Sequence, residues 1–430
     1  MYRFVLVLSV LILSLQSSFA TDGYFRHGYG IKNSAMGGAG TALSLASTGA
    51  ITNPASIAFL NSGFSVDLAI FSPERSYNVF GNPSNYPGTF PLKPGKYLSS
   101  TEAFIFPTLG ANWKLGEKFA VGVVGYGNGG MNSDYQLNVF HDPFSKTTGV
   151  NIEQMFVGAA VAFQFAKGHA IGVEPLFGYQ RFSAKGLLAF SMFSKDPNSI
   201  TGNSLATSMG FGGRIGYQGK LLPFLSIGGS YQSKIFMSPF ERYQGLFAQE
   251  GDFDVPATWN AGIAINASQK LTLALDVQQI LYSGVKSVSN KMDLVNNSPM
   301  TPTGGQNANF SPLGSENGWG FGWEDVTVVK IGAMFKPAED WTLMAGFSQG
   351  KQAFDEKEVM FNILAPAVVK QHLTFGLSKK FEDREMTIGF MYAPKSSVEG
   401  TNPLEAPNQQ SIRLEMMQWQ LELGYSFSSL

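Results

Sequence analysis

The stretch Met416-Met417-Gln418-Trp419-Gln420-Leu421-Glu422-Leu423-Gly424-Tyr425-Ser426-Phe427 decides the architecture. Successive side chains of a strand point to opposite faces of a sheet. Trp419, Leu421, Leu423, Tyr425 and Phe427 therefore share one face, and Gln418, Gln420, Glu422, Gly424 and Ser426 the other. Leu271, Leu273, Leu275 and Val277 alternate in the same way with Thr272, Ala274, Asp276 and Gln278. So do Met386, Ile388, Phe390 and Tyr392 with Thr387, Gly389 and Met391. One face is apolar and rich in rings; the other carries amides, acids and small residues.

Composition says where the apolar face points. Of 430 residues, 44% are hydrophobic and only 14% charged, against roughly 25% charged in an average soluble domain. The chain has 49 Gly, 36 Phe and no Cys, yet its mean hydropathy is only +0.01. Nothing after residue 20 approaches the ~18 consecutive apolar residues of a membrane helix. A transmembrane β-barrel reconciles these facts, because only every second residue meets lipid. The absence of Cys excludes a disulfide framework and thiolate-ligated metal. Thirty basic against 31 acidic residues leave no cationic surplus for a nucleic-acid backbone.

Applied throughout, the alternation predicts strands at 62–72, 101–113, 119–128, 153–165, 169–183, 206–218, 224–236, 257–266, 270–282, 326–336, 341–350, 371–380, 386–393 and 416–427, fourteen in all. The connections contain 28, 5, 24, 3, 22, 5, 20, 3, 43, 4, 20, 5 and 22 residues, so long and short alternate throughout. Short ones such as Lys114-Leu-Gly-Glu-Lys118, Ala166-Lys-Gly168 and Pro337-Ala-Glu-Asp340 carry turn residues. Short periplasmic turns and long external loops are the habit of outer-membrane barrels. Pro107 and Pro175 fall inside predicted strands, where bulges are expected. A slip of facing near Pro175 would turn Glu174 and Arg181 both inward.

Residues 1–20 read as a secretory signal peptide. Arg3 precedes an apolar run from Phe4 to Leu15, and Ser18 and Ala20 are the small residues read at cleavage. An uncleaved anchor helix is the alternative. Residues 21–61 do not alternate. They are rich in Gly, Ala and Ser, which permit tight turns and close backbone approach, as a compact segment inside the barrel requires. The division is thus 1–20 signal, 21–61 plug and 62–430 barrel.

Residues 28–55 resemble the N-terminal hatch of the FadL/TodX family, outer-membrane transporters of long-chain fatty acids and other hydrophobic compounds. The likeness rests on the run Met36-Gly-Gly-Ala-Gly-Thr-Ala42 and on Asn53-Pro54-Ala55 just before the first strand. It extends to the count of fourteen strands, to Phe106-Pro-Thr-Leu-Gly110 and to the stretch from Trp323-Glu-Asp325 through Trp341-Thr-Leu-Met-Ala-Gly-Phe347. The family's usual Asp-Asp-Ala-Ser-Thr segment is here Ser44-Leu-Ala-Ser-Thr-Gly49, and the chain ends Phe427-Ser-Ser-Leu430 rather than in an aromatic. The resemblance implies a fourteen-stranded outer-membrane barrel plugged by a hatch that contains Gly37, Gly38, Gly40, Asn53, Pro54 and Ala55. It also implies a monomer without cofactor or metal that takes up hydrophobic small molecules passively.

Two apolar patches fall in predicted external loops: Leu187, Leu188, Phe190, Met192 and Phe193, then Phe236, Met237, Phe240, Leu246 and Phe247. They are suited either to ligand capture or to packing the loops on each other, and the resemblance favours a capture groove between them. Gly125-Tyr-Gly-Asn-Gly-Gly130 weakens pairing at the end of the third strand. It reads as a plain strand end or as a kink at Gly125, Gly127, Asn128, Gly129 and Gly130, which in the family opens the wall laterally toward lipid. Arg214 and Lys330, with Asp67 and Asp276, share the inner face, either to meet a carboxylate or to brace the plug.

Catalysis finds little support. His27, His141, His169 and His372 have no metal-ligand spacing, and no Ser with an orienting group is identified beside His372. Two other readings share the architecture: a structural or adhesive surface barrel with a static plug, and a general porin.

Overall fold

Fourteen antiparallel strands realise the alternation. They are β1 (Gly63–Phe80), β2 (Phe104–Leu115), β3 (Phe119–Tyr135), β4 (Thr148–Ala166), β5 (His169–Lys185), β6 (Ala206–Leu222) and β7 (Leu225–Gln232), followed by β8 (Thr258–Asn266), β9 (Leu271–Ile280), β10 (Val326–Ala338), β11 (Trp341–Gly350), β12 (Gln371–Phe381), β13 (Arg384–Thr401) and β14 (Ser411–Ser428). The computed structural model describes residues 22–100, 103–294, 296–300 and 305–429, so the expected signal segment lies outside the described residues. Each strand pairs with the next, and β14 pairs with β1 from Ser428↔Gly63 to Ser411↔Phe80, which closes the cylinder. Closure removes the free edges that hydrocarbon cannot hydrate. Two short strands lie beside this ring: Gly95–Leu98 pairs with β1 and Phe236–Met237 with β6.

The apolar face is outside. Leu68, Ile263, Leu275, Ile331, Ile388 and Leu423 are exposed, whereas Asp67, Asp276, Thr387 and Glu422, their neighbours in the alternation, are buried within. Trp113, Phe119, Phe165, Phe224, Trp341 and Phe381 ring the end that holds the short turns. Tyr231, Tyr392 and Trp419 mark the opposite end of the band, as interfacial aromatics do.

Several strands outrun the apolar band. β1, β13 and β14 have 18 residues each and β4 has 19, whereas β7 has 8. The excess lies on the external side, where outward positions are Asn132, Asp134, Glu399, Arg413 and Glu415. There water replaces lipid, alternation in hydropathy disappears, and the pattern-based boundaries stop short. β7 ends at Gln232; Ser233 still bonds Gly213, the next residue of β6, and the chain meets β6 again, one residue out of register, at Phe236–Met237.

Both proline expectations are corrected. Pro107 keeps its register with Leu68 of β1, and the ladder toward β3 ends beside it instead of bulging. At Pro175 the β4–β5 ladder lacks two pairs but resumes in the same register, from Gly158↔Leu176 to Val161↔Val173. Facing therefore does not slip. Glu174 is buried inside, whereas Arg181 points outward and pairs with Glu153 at 2.6 Å.

Residues 22–59 run inside the cylinder, with a helical turn at Ile31–Ala35 and 3-10 turns at Ser47–Ile51 and Pro54–Phe59. The wall makes room for them with glycine. A Cβ on Gly172 would stand 2.4 Å from the Pro54 carbonyl carbon, one on Gly216 2.1 Å from Asn53 Oδ1, and one on Gly346 2.1 Å from Gly37 N.

Outward placement of the greasy face is testable. Leu275→Arg, in the middle of β9, is expected to destabilise folding into liposomes by about 2–4 kcal/mol, whereas Leu221→Arg near the periplasmic rim should cost no more than about 1 kcal/mol. Denaturant titration of the two variants checks the contrast.

Candidate functional site: a braced lumen and a window in its wall

Buried polar groups of the wall hold the internal segment. Asp276 Oδ2 accepts bonds from Gly40 N and Thr41 N, each at 2.8 Å, and from Thr41 Oγ1 at 2.7 Å. Asp67 accepts Ile31 N at 3.1 Å, at the start of the helical turn. Thr374 Oγ1 accepts Gly37 N at 2.8 Å, and Gly37 and Gly38 adopt φ of 70° and 83°, which suit glycine. Asn53 is fully buried: its Oδ1 accepts Ala55 N at 3.1 Å while its Nδ2 donates to Thr41 O and to Tyr217 O of β6. Pro54 and Ala55 lie against the glycine-paved wall of β5 and β6.

The two inward cations singled out from sequence are engaged in this scaffold. Arg214 pairs with Glu174 and donates to Tyr126 Oη at 2.9 Å and Gln232 Oε1 at 2.6 Å. Lys330 donates to His27 O at 2.8 Å and lies 3.7 Å from Asp22. Sequence reasoning passed over Arg26, which donates to Thr108 Oγ1 and forms an ion pair with Glu422 at 3.3 Å. It lies in the non-alternating segment, where facing cannot be inferred.

Among the described residues the wall opens between β2 and β3. β2 pairs with β3 only from Leu115↔Phe119 to Thr108↔Tyr126. Residues 104–107 remain paired to β1, and β3 continues along β4 as far as Tyr135↔Thr148. Above the gap Ser99 bridges Tyr135, Ser100 N donates to Asp134 O at 2.8 Å, and Gly95–Leu98 pairs with β1. The result is a framed window.

Its cause is local. Pro107 has no N–H with which to extend the ladder. Opposite it, the register of β3 shifts between Gly127 and Gly129, and Gly129 adopts φ of 145°, a glycine conformation. The shift reverses facing from Asn128, the last buried even-numbered position, to Met131, Ser133 and Tyr135; Asn128 accepts Tyr29 Oη and donates to Gln154 Oε1 at 2.9 Å. Groups of β3 withdrawn from β2 are taken up from inside, by a bridge of Phe25 to Gly129 and by Arg26 N donating to Asn128 O at 3.2 Å. Gly125, below the shift, meets nothing where its Cβ would stand, and Gly130, above it, packs against Ile152 O.

A cavity of about 660 Å³ passes through this window. Inside it is lined by His27, His372, Gln418 and Gln420; Phe71, Phe104, Phe106 and Arg75 line the passage, and Ile105 and Met155 its lipid-facing lip. Above, external loops pack into an aromatic roof that includes Tyr282, Trp319 and Trp323. Asn362 pins it: Oδ1 accepts Trp323 Nε1 at 2.7 Å, and Nδ2 donates to Phe321 O and Glu358 O. Burial pushes the carboxyl of Glu358 up, against the Met292 N–H that it accepts.

The apolar loop residues are only partly brought together. Leu187, Phe190, Leu246 and Phe247 line one small pocket of about 40 Å³ beneath Trp319. Phe240 is fully buried in the roof, Phe193 packs at its margin, Leu188 is half-buried and Met192 is 78% exposed. Phe236 and Met237 leave the group, because their extended backbone sends Phe236 out beside Phe211 and Met237 inward among Phe156, Leu176 and Ile235. A serine does stand beside His372: Ser348, its register partner on β11, lies with Oγ 3.0 Å from Nδ1. Ser348 has no accessible surface, so it is a brace of the ring and not an available nucleophile.

A closed, lipid-facing barrel with an occupied lumen and a window in its side defines an outer-membrane transport protein. The chain belongs to the outer membrane protein transport protein family (OMPP1/FadL/TodX), whose model matches residues 18–418. Similar solved structures include the toluene transporter TodX of P. putida, with 17% identity and a TM-score of 0.66, and a FadL homologue of Pseudomonas aeruginosa, with 14% and 0.67. The toluene transporter TbuX of Ralstonia pickettii follows at 16% and 0.60. Each comparison covers 94% of this chain and 99% of the other. No curated protein matches the sequence.

The hold of the wall on the segment predicts that Asp276→Asn weakens each charge-assisted bond to Gly40 and Thr41. Exchange protection of those two amides should fall roughly 10–100-fold, in line with about 1.5–3 kcal/mol for such bonds. Hydrogen-exchange mass spectrometry of the segment measures it; unchanged protection would show that the carboxylate is dispensable.

Proposed function

We propose that this protein mediates passive uptake of hydrophobic molecules, fatty acids or aromatic hydrocarbons, across the outer membrane, with residues 21–61 as its hatch and the window as its exit. The observation that carries this reading is the cavity of about 660 Å³ that joins the lumen to the lipid-facing lip. A lipid-like molecule gains nothing from entering periplasmic water: each buried methylene favours an apolar surrounding by about 0.8 kcal/mol. A sideways exit into the bilayer follows that gradient.

Capture begins at the loops, where the pocket between Leu187, Phe190, Leu246 and Phe247 offers an apolar first contact. Passage inward then requires the roof and the hatch to yield, and a ligand shifts such an equilibrium only by binding the open state better. Arg214 and Lys330 serve as braces, since Glu174, Tyr126 and Gln232 surround the first and His27 O and Asp22 the second. The toluene transporters among the similar structures support an apolar cargo.

Labelled oleate and labelled toluene supplied to cells that express the chain are expected to enter faster than into empty cells. Gly127→Leu directs a side chain at Phe106, whose ring stands 2.9 Å from where the new Cβ would lie. It should lower entry at least about tenfold while the barrel still assembles, as expected if ~1.4 kcal/mol or more is added to the barrier. Full uptake by that variant would rule out the window as the exit, and no uptake by the unaltered protein would favour a static surface barrel.

A further inference from the structure

Two lysines meet where β9 and β10 reach the periplasmic turns. Leu271 stands opposite Phe335, and one step further the N–H of Lys336 donates to Lys270 O at 2.8 Å. Both lysines fall on the lumen side of the alternation, in step with Thr272 and Met334, whereas Leu273 and Phe335 face out. Like charges directly opposite each other in a sheet repel. Among the described residues no carboxylate relieves the pair: Lys270 Nζ donates to Pro337 O at 3.2 Å, a neutral acceptor. The acids of the nearby turns are engaged elsewhere, Asp340 with Lys379, Glu385 with Lys32 at 2.7 Å and Asp383 with Arg384 at 3.7 Å. Glu339 lines the adjoining chamber, which it shares with Lys380 as well as Lys336.

The wall is shaped around this pair. The β10–β11 register breaks between Phe335 and Ala338, so that Lys336 and Pro337 together oppose Thr342, a bulge that re-aims the strand end. Below it lies a pocket of about 510 Å³, lined by Lys270 and Lys336 with Asn266, Ser268, Gln269 and Thr272, and with neither Asp nor Glu among its lining residues. Thr272 Oγ1 donates to Asn266 Oδ1 at 2.9 Å, which leaves the Asn266 amide nitrogen to serve as a donor. The pocket shares no residue with the cavity of the window.

We propose that this pocket is a site for a phosphate group, held between Lys270 and Lys336 and supplied either as a soluble phosphate of the periplasm or as the headgroup of a lipid in the leaflet that faces it. Lysine binds phosphate as a point charge. The tetrahedral oxygens of a phosphate accept from two ammonium groups on different strands and from side-chain amides at once, which a planar carboxylate does less well. With the anion in place, repulsion between β9 and β10 becomes a tie between them.

The soluble source is tested by calorimetric titration of inorganic phosphate into the protein in a neutral detergent at low ionic strength. The lipid source is tested by native mass spectrometry with phosphatidylglycerol, against diacylglycerol, which lacks the phosphate. The unaltered protein is expected to bind at least one of the two phosphate probes. Lys270→Gln and Lys336→Gln should each weaken that binding about tenfold or more, the loss of one charge-assisted bond. Lys379→Gln, which removes a lysine already paired with Asp340, should leave it unchanged. Heat-modifiable migration on gels establishes that each barrel is assembled. Binding of inorganic phosphate alone assigns the site to a soluble ion, and retention of phosphatidylglycerol alone assigns it to a headgroup. Binding of neither by the unaltered protein overturns the site. So does unweakened binding in assembled Lys270→Gln and Lys336→Gln proteins, equal weakening by Lys379→Gln, or equal retention of diacylglycerol without binding of inorganic phosphate.

Discussion

Hydrocarbon cannot hydrogen-bond a peptide group, and everything else in this molecule follows from that refusal. Each strand must find partners on both sides, so the sheet closes, β14 on β1. The outward side chains must be apolar, so polar ones accumulate within, and a lumen lined with Asp67, Glu174, Arg214, Asp276, Lys330 and Glu422 cannot be left as an empty space of unpaired charge. Residues 22–59 meet these groups with backbone N–H and C=O as much as with side chains: Gly40, Thr41, Ile31, Gly37 and His27 all use main-chain atoms. The internal segment completes the interior chemically as well as filling it.

The window is the place where the rule is locally relaxed. Pro107 removes one donor, and the shift at Gly127–Gly129 moves the next groups of β3 out of register. The exposed backbone is not abandoned, because Phe25 and Arg26 take up the bonds from the lumenal side. A hole can thus exist at membrane depth since it is lined by protein on its inner margin.

Much of this was legible in the chain itself. Fourteen strands, their closure and the parity of their loops follow from period-two patterning, which is strict wherever one face meets lipid, as at Leu273 and Leu275 or Leu421 and Leu423. Legibility ended where the contrast between faces ended. Arg75 sits beyond the boundary assigned to the first strand, and Glu399 and Arg413 lie on extensions that water surrounds on both sides. Arg26 and Ser348 escaped notice for another reason: the first belongs to a segment without periodicity, and the second becomes meaningful only through its register with His372. Pro107 was read as the seat of a bulge, whereas the bulge lies across the gap on β3, because sequence shows a lost donor but not which strand adjusts to the loss.

Phe25 and Arg26 bind the rim of the opening through the same short stretch that continues into His27, Gly28 and the glycine-rich turn. On the proposed uptake route, the stopper and the side door are consequently not two mechanisms but one coordinate. By thermodynamic reciprocity, any molecule that lodges in the doorway and tightens those contacts must hold the stopper in place by an equal free energy, and any that loosens the stopper must loosen the doorway equally. A passenger slow to depart would in this way bar the next from entering, and a carrier without an energy source would acquire one-at-a-time passage from two hydrogen-bonded residues.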